Sequence, residues 1–298
     1  MNQKRLTGKM DKDNKLKPFL DTSVARPVLV GTSLYRQHLK DCFGDSSLYV
    51  SPFIQMEFTR GFICHLLDFY FLLDIPTIET IGDAFTLWSD RFSSRELKSV
   101  LQMISQLIDA RGLSFSDPKD KEKGLKAVSQ IVERLVIKWN NTFKLVGQNS
   151  TRCQRALLSL KIGKVLSNRE NFRDFLTTFN DLKSCSKQCK AYQFLFADNA
   201  QNVKALVKHA STFSNRTSAE NSGFIRIAKK LERILQKGQD ISCKECGSLG
   251  DAIIALDGPP GMRLEHTDYS FDHLCNLIGY PHQRHPSQMA FLPNTAKM

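Results

Sequence analysis

The chain has no apolar run long enough to cross a bilayer. Its most apolar stretch, Gly61 to Ile75, is broken by His65 and Asp68 and falls short of the roughly 20 residues that a membrane helix needs. The leader, Met1 to Lys17, is polar and charged and lacks the apolar segment of a secretory signal, so a cytoplasmic protein without membrane association is expected. There is no G-x-x-x-x-G-K-S/T phosphate loop, no H-E-x-x-H and no G-x-S-x-G elbow, which argues against three common hydrolase chemistries. Asp21-Thr22-Ser23 lacks the second aspartate, two residues on, that a phosphatase working through an aspartyl phosphate would use. Fixed-length repeats are missing too. The few aromatics of the middle region, among them Trp88, Trp139, Phe143 and Tyr192, form no base-stacking pattern.

What is present is a chain of 298 residues with ordinary globular hydrophobicity, long enough for one large domain or two smaller ones. Its net charge of +12 is unevenly distributed. Residues 76–240 hold 28 Lys and Arg against 16 Asp and Glu, whereas the remainder is balanced at 14 against 14. The excess favours a polyanionic partner such as RNA or DNA, and confines that attraction to the middle of the chain.

The hydropathy pattern alternates strands with helices. Lys17 to Leu20 is a short apolar run that stops at Asp21, and Leu48-Tyr49-Val50 is a second, closed by Ser51-Pro52. That pair suits an N-cap and the first position of a helix running to about Leu73, which carries Glu57. Another helix is expected from about Ser33 to Cys42. Leu125, Val128, Val132, Leu135, Val136 and Trp139 recur at helical spacing, as do Phe224, Ile227, Ala228, Leu231, Ile234 and Leu235. Near the end, Gly250 to Leu256 reads as a short helix bearing Asp251. Met262 to Thr267 reads as a strand stopping at Asp268, and Ser270 to Ile278 as a last helix. The fold class is therefore α/β, a central parallel sheet flanked by helices, with acids along its carboxyl edge and a mostly helical middle.

Hard cations such as Mg²⁺ and Mn²⁺ take oxygen ligands, and a few carboxylates converging from separate strand ends and helix starts suffice to hold them. Asp21, Glu57, Asp251 and Asp268 are the candidates. Taken singly, Asp21 could end a strand in a turn, and Asp268 could cap the last helix. Glu57 is harder to explain, because Phe53, Ile54, Met56 and Phe58 surround it.

These segments resemble the PIN-domain ribonuclease family. Phe19-Leu20-Asp21-Thr22-Ser23 is similar to its opening strand, and Tyr49-Val50-Ser51-Pro52 leading to Glu57 to its second strand and glutamate-bearing helix. Gly250 to Ala255 resembles the helix of its third acid. His266-Thr267-Asp268-Tyr269-Ser270-Phe271 is similar to its Thr-x-Asp-x-x-Phe close, with the threonine here adjacent to the aspartate. The resemblance implies a PIN-like core formed by residues 17–75 and 245–280, a basic helical insertion at 76–244, and a tail at 281–298. It implies metal-dependent cleavage of a phosphodiester, in RNA more readily than DNA. Asp21, Glu57, Asp251 and Asp268 would then be catalytic ligands of Mg²⁺ or Mn²⁺, and Asp272 could add a fifth carboxylate. Two alternatives stay open: an inactive nucleic-acid-binding module, and a toxin or defence nuclease silenced by an antitoxin or other regulatory protein.

Eight cysteines without an export signal are expected to stay reduced. Cys185-x-x-x-Cys189 and Cys243-x-x-Cys246 have ligand-like spacing and could bind a structural zinc, or be buried thiols. Cys42, Cys64 and Cys275 lie in apolar surroundings and read as core. Arg226, Lys229, Lys230 and Arg233 could form a phosphate-binding face or simply a solvated one. The Pro281-His282-Gln283-Arg284-His285-Pro286 tail could touch RNA or a metal, but a mobile terminal segment is the stronger expectation.

Overall fold

The computed structural model describes residues 16–90, 104–105, 108, 111–147, 191–213, 219–238 and 241–291. Among these residues, five short segments form one parallel sheet: β1 (Lys17–Leu20), β2 (Leu48–Val50), β3 (Phe143–Leu145), β4 (Met262–His266) and β5 (His282–Arg284). Their order is β3-β2-β1-β4-β5. The chain starts at the centre, builds outward through β2 and β3, then returns to the other side of β1 for β4 and β5. Strand order therefore reverses between β1 and β4, where open parallel sheets leave a crevice beyond their carboxyl ends.

Helices cover the sheet. Asp21 caps α1 (Thr22–Val30), which buries Val24, Ala25, Pro27 and Leu29. This helix was not expected, because Pro27 lies inside it. The cap and the buried face outweigh the one backbone donor that proline removes. After α2 (Ser33–Phe43), Ser51 caps α3 (Pro52–Phe58), accepting from the backbone of Ile54, with Pro52 in the first turn as anticipated. The expected single helix to Leu73 is instead α3, a π-helical turn at Thr59–Ile63, and α4 (Cys64–Asp74).

The boundary drawn at residue 75 falls too early. After α5 (Ile81–Ser89), the long helix α6 (Lys121–Thr142) packs on α4 and buries the anticipated face from Leu125 to Trp139. It then delivers Phe143–Leu145 to pair in parallel with β2. Residues 121–145 are thus a helix and strand of the sheet layer, not part of an insertion standing apart from it. Three residues carry too little periodicity for β3 to be seen in the sequence. Further along, α7 (Ala200–Ala210) and α8 (Ala219–Lys237) pack on each other, and Phe224, Ile227, Ala228, Leu231 and Ile234 are buried, as the spacing predicted.

The short helices α9 (Cys243–Ser248) and α10 (Gly250–Leu256) lead to β4 and then α11 (Tyr269–Ile278), which packs on α8. The tail is also part of the fold. Residues 282–284 form the edge strand β5, His285 is buried with its Nε2 2.8 Å from Glu265 Oε2, and Tyr35 Oη donates to the Pro286 carbonyl at 2.9 Å. Among the described residues, no helix is long and apolar enough to cross a membrane.

Candidate active site

Each of the four acids leaves a different element beside the reversal point. Asp21 follows β1 directly. Its backbone N–H donates to Glu265 O at 2.9 Å, while its carboxylate Oδ2 accepts from the Ser23 backbone at 2.9 Å. Capping α1 therefore fixes this carboxylate at the sheet's carboxyl edge. Ser23 also accepts at Oγ from the Thr267 backbone at 3.2 Å, which ties the end of β1 to the end of β4.

Glu57 comes from α3. Its Oε2 accepts a 2.5 Å hydrogen bond from Thr22 Oγ1, the first residue of α1. Its Oε1 lies where Gly250 passes: a Cβ at position 250 would sit 2.5 Å from that oxygen and 3.0 Å from the Phe53 ring. A side chain at 250 would have to displace the Glu57 carboxylate and press on the Phe53 ring. The next residue, Asp251, accepts from Ser270 Oγ at 2.6 Å. Asp268 caps α11, with Oδ1 accepting from the Ser270 backbone at 2.9 Å and lying 3.0 Å from Ser270 Oγ. The Ser270 hydroxyl thus stands between two of the acids.

The electrostatics register their convergence. Burial, then the charge of Asp21, pushes the Glu57 carboxyl up to about 8; the Thr22 hydrogen bond opposes this, and Asp251 adds to it. Burial followed by Asp21 likewise raises Asp251 to about 7, with Asp268 adding to the shift while Ser270 and Arg226 counter it. Asp21 is also raised, by burial first and by Asp268 in part. Asp21, Asp251 and Asp268 each act on another of the set, and accessibility grades from buried Asp21 through half-buried Glu57 and Asp251 to exposed Asp268. The oxygens are not drawn into a closed cage. Among the described residues, the trios of His, Cys, Asp or Glu whose ligand atoms all lie within 4.8 Å of one another are His38/Cys42/His285 and His266/Asp272/His282, and none of the four acids belongs to either.

Asp272 does not join them. Although one helical turn from Asp268, its Oδ2 accepts from Arg284 Nη1 at 2.7 Å, and its Oδ1 lies 3.5 Å from His282 Nδ1 and 3.6 Å from His266 Nε2. The arginine and histidines of β4 and β5 hold it on the far side of α11's first turn. It is therefore not a fifth ligand of the acidic set.

The basic residues of α8 divide rather than forming one face. Arg226 acts electrostatically on Asp251, and Gly223, one turn earlier, brings α8 to within 3.9 Å of Asp268 Oδ1, measured from an added Cβ. Lys230 hydrogen-bonds Ser248 Oγ, and Arg233 pairs with Glu245 at 2.9 Å, so both are engaged with α9. Lys229 lines a groove of about 480 Å³ between α7 and α8 together with Lys204 and Lys208. Cys185 and Cys189 lie outside the described residues. Cys243 and Cys246 share α9, and Cys246 is buried.

Sequence reasoning did not assign roles to Thr22, Ser270, Gly250 or Arg26. Arg26 is one turn into α1, half-buried, and interacts with the Asp21 charge. A hydroxyl one or two residues after an acid, in Asp21-Thr22-Ser23 and Asp268-Tyr269-Ser270, was the visible signal for the first two. No protein-family model matches the chain, and neither a curated protein nor a solved structure does.

Proposed function

We propose that this chain is a PIN-like, metal-dependent nuclease that hydrolyses phosphodiester bonds in RNA. The observation that carries the reading is the convergence of Asp21, Glu57, Asp251 and Asp268 at the strand reversal, where two of them have carboxyls pushed up to about 8 and about 7. Carboxylates that penalise one another's ionisation fit a divalent cation, which would compensate all of them at once. The donors offered are oxygens only, the set preferred by Mg²⁺ and Mn²⁺. When bound, such an ion supplies a water of lowered pKa and neutralises charge on a scissile phosphate.

The protein's own groups prepare that chemistry. Asp21, Glu57, Asp251 and Asp268 would hold the ion, while Thr22 and Ser270 orient Glu57 and Asp251 by hydrogen bonds that favour the charged carboxylate. Arg226, on the α8 side of the acids, offers a positive charge for a backbone phosphate. The net positive charge of residues 76–240 draws a polyanion toward the molecule.

A fluorogenic RNA incubated with the purified full-length chain tests the reading. Cleavage should require Mg²⁺ or Mn²⁺, stop in EDTA, and fall by about 10²-fold or more in Asp21→Asn, in line with the loss of one electrostatic element of an active site. Cleavage that persists in EDTA, or full activity in Asp21→Asn, sinks it.

A further inference from the structure

A cluster of metal-ligating side chains that the acidic centre does not use lies on the other side of α11. His266 projects from β4, Asp272 from α11 and His282 from β5. His266 Nε2 and His282 Nδ1 are 3.1 Å apart, and Asp272 Oδ1 is 3.6 Å from the first and 3.5 Å from the second. Ligands about 2.0–2.1 Å from a tetrahedral zinc stand roughly 3.3–3.4 Å from one another. The three atoms therefore already outline one face of such a tetrahedron.

The outer hydrogen bonds fix which nitrogens face inward. His266 Nδ1 lies 3.0 Å from the backbone carbonyl of Asp268, and His282 Nε2 lies 3.1 Å from Asn276 Oδ1. The carbonyl can only accept, so His266 Nδ1 carries the proton and Nε2 presents a lone pair; His282 Nδ1 presents one in the tautomer whose Nε2–H donates to Asn276, and in the other tautomer it donates to His266 Nε2. In the first of these, two lone pairs and a carboxylate oxygen converge on one small space, an arrangement that a cation relieves. The remaining oxygen of Asp272 is held by Arg284, whose guanidinium stacks on Tyr269 at 3.8 Å. Outer partners on every ligand are what orients the shell around a bound metal.

We propose that His266, Asp272 and His282 bind one zinc ion, with a fourth position left for water on the side where Asp272 and His282 are partly exposed. His266 is fully buried, whereas the side chains of His282 and Asp272 are 18% and 26% exposed. The donor set is two imidazoles and one carboxylate, which suits zinc better than Mg²⁺. Such an ion joins β4, α11 and β5, and through the Asp268 carbonyl it braces the turn that carries an acid of the other site. The proposal does not depend on the nuclease reading.

The test uses the full-length chain purified without a polyhistidine tag, stripped with chelator, reloaded with ZnCl₂ and freed of excess by gel filtration. Bound metal is measured by mass spectrometry, and Co²⁺ replaces Zn²⁺ for a visible spectrum. Wild type should retain one zinc per chain and give the intense bands of tetrahedral Co²⁺. His282→Ala and Asp272→Asn should lose both signals, while Asp21→Asn and Cys246→Ser keep them. Asn276→Ala leaves every ligand in place at an exposed position and should weaken zinc binding about 10–100-fold. Zinc retained equally by wild type, His282→Ala and Asp272→Asn overturns the proposal. So does zinc lost in Asp21→Asn or Cys246→Ser but kept in the histidine variant, or the weak spectrum of octahedral Co²⁺.

Discussion

Thr22 Oγ1 donates to Glu57 Oε2 at 2.5 Å, so the residue that opens α1 holds the acid of α3. The bond favours the ionised carboxylate against burial and the charge of Asp21. Thr22→Val keeps the shape and removes the donor. A hydrogen bond to a charged group is worth about 1.5–3 kcal/mol, which corresponds to roughly 1–2 pKa units. The midpoint of Glu57, followed by carbon NMR of its carboxyl in the metal-free protein, should rise accordingly from about 8. An unmoved midpoint would show that the hydroxyl does not support the charge.

Stability should depend on pH in a direction opposite to that of ordinary ion-paired carboxylates. The folded values of Glu57 and Asp251, about 8 and about 7, lie above their ordinary values of 4.5 and 3.8. Between those limits the folded state binds more protons than the unfolded chain, so stability declines as pH rises. In EDTA, Tm should fall across this window. With Mn²⁺ the acids are held ionised and the decline should shrink. Thermal melts at matched ionic strength decide it, and parallel curves with and without Mn²⁺ would contradict the metal assignment.

Gly250 and Gly223 both approach the acids but have different tolerances. Alanine at 250 would put its Cβ 2.5 Å from Glu57 Oε1, whereas at 223 the nearest heavy atom is Ser270 Cβ at 3.6 Å. Gly250→Ala should cost about 1–3 kcal/mol through overpacking. Gly223→Ala, inside α8, should gain about 0.5–1 kcal/mol. Urea unfolding of both variants checks the contrast, and equal effects would refute it.

Asp268 has two separable duties. Asp268→Asn keeps a capping side chain for α11, so its Tm should stay near wild type while Mn²⁺ affinity falls. Asp268→Ala should lose the affinity and a further 0.5–2 kcal/mol of stability, the usual order of about one lost cap. Calorimetric titration with Mn²⁺ beside thermal melts separates the two. Identical stability of both variants would remove the cap from the account.

The last segment makes a sharper demand. Glu265 is completely buried on β4, with Arg263 Nε at 2.8 Å and His285 Nε2 at 2.8 Å. His285→Ala removes one of the two partners of the buried Glu265 carboxyl, leaving Arg263, and should cost about 1.5–3 kcal/mol. A chain ending at residue 280 loses β5 as well and should fail to fold cooperatively. A truncated protein melting like wild type would restore the tail to a dispensable role.

Much of this was legible because the strongest signals are local. Ser51-Pro52 marks a helix start by cap chemistry, and Leu125 to Trp139 marks a buried face by period, whatever the rest of the chain does. Partnership was harder to read. The same α6 was assigned to an insertion because nothing local says that Phe143–Leu145 will pair with Leu48–Val50. Asp272 shares a helix with Asp268, yet Arg284 and two histidines from neighbouring strands decide which way it faces. Pro27 hid α1, since intrinsic propensity gave no account of the Asp21 cap and the buried side chains that stabilise it.

The position of β4 in the sheet has a temporal side. Ser23 and Thr267, whose hydrogen bond joins the two halves of the acidic centre, are separated by 244 residues. β4 occupies an interior place between β1 and β5 although it follows β2 and β3 in the chain. A nascent chain can therefore form the pair β1 and β2 early, but it holds only two of the four acids until residues 251–268 have been made. Closing so long a loop is also slow compared with helix formation. The four carboxylates can therefore come together only after residues 251–268 have been added, when α10 and the end of β4 complete a set that the first two acids cannot form alone.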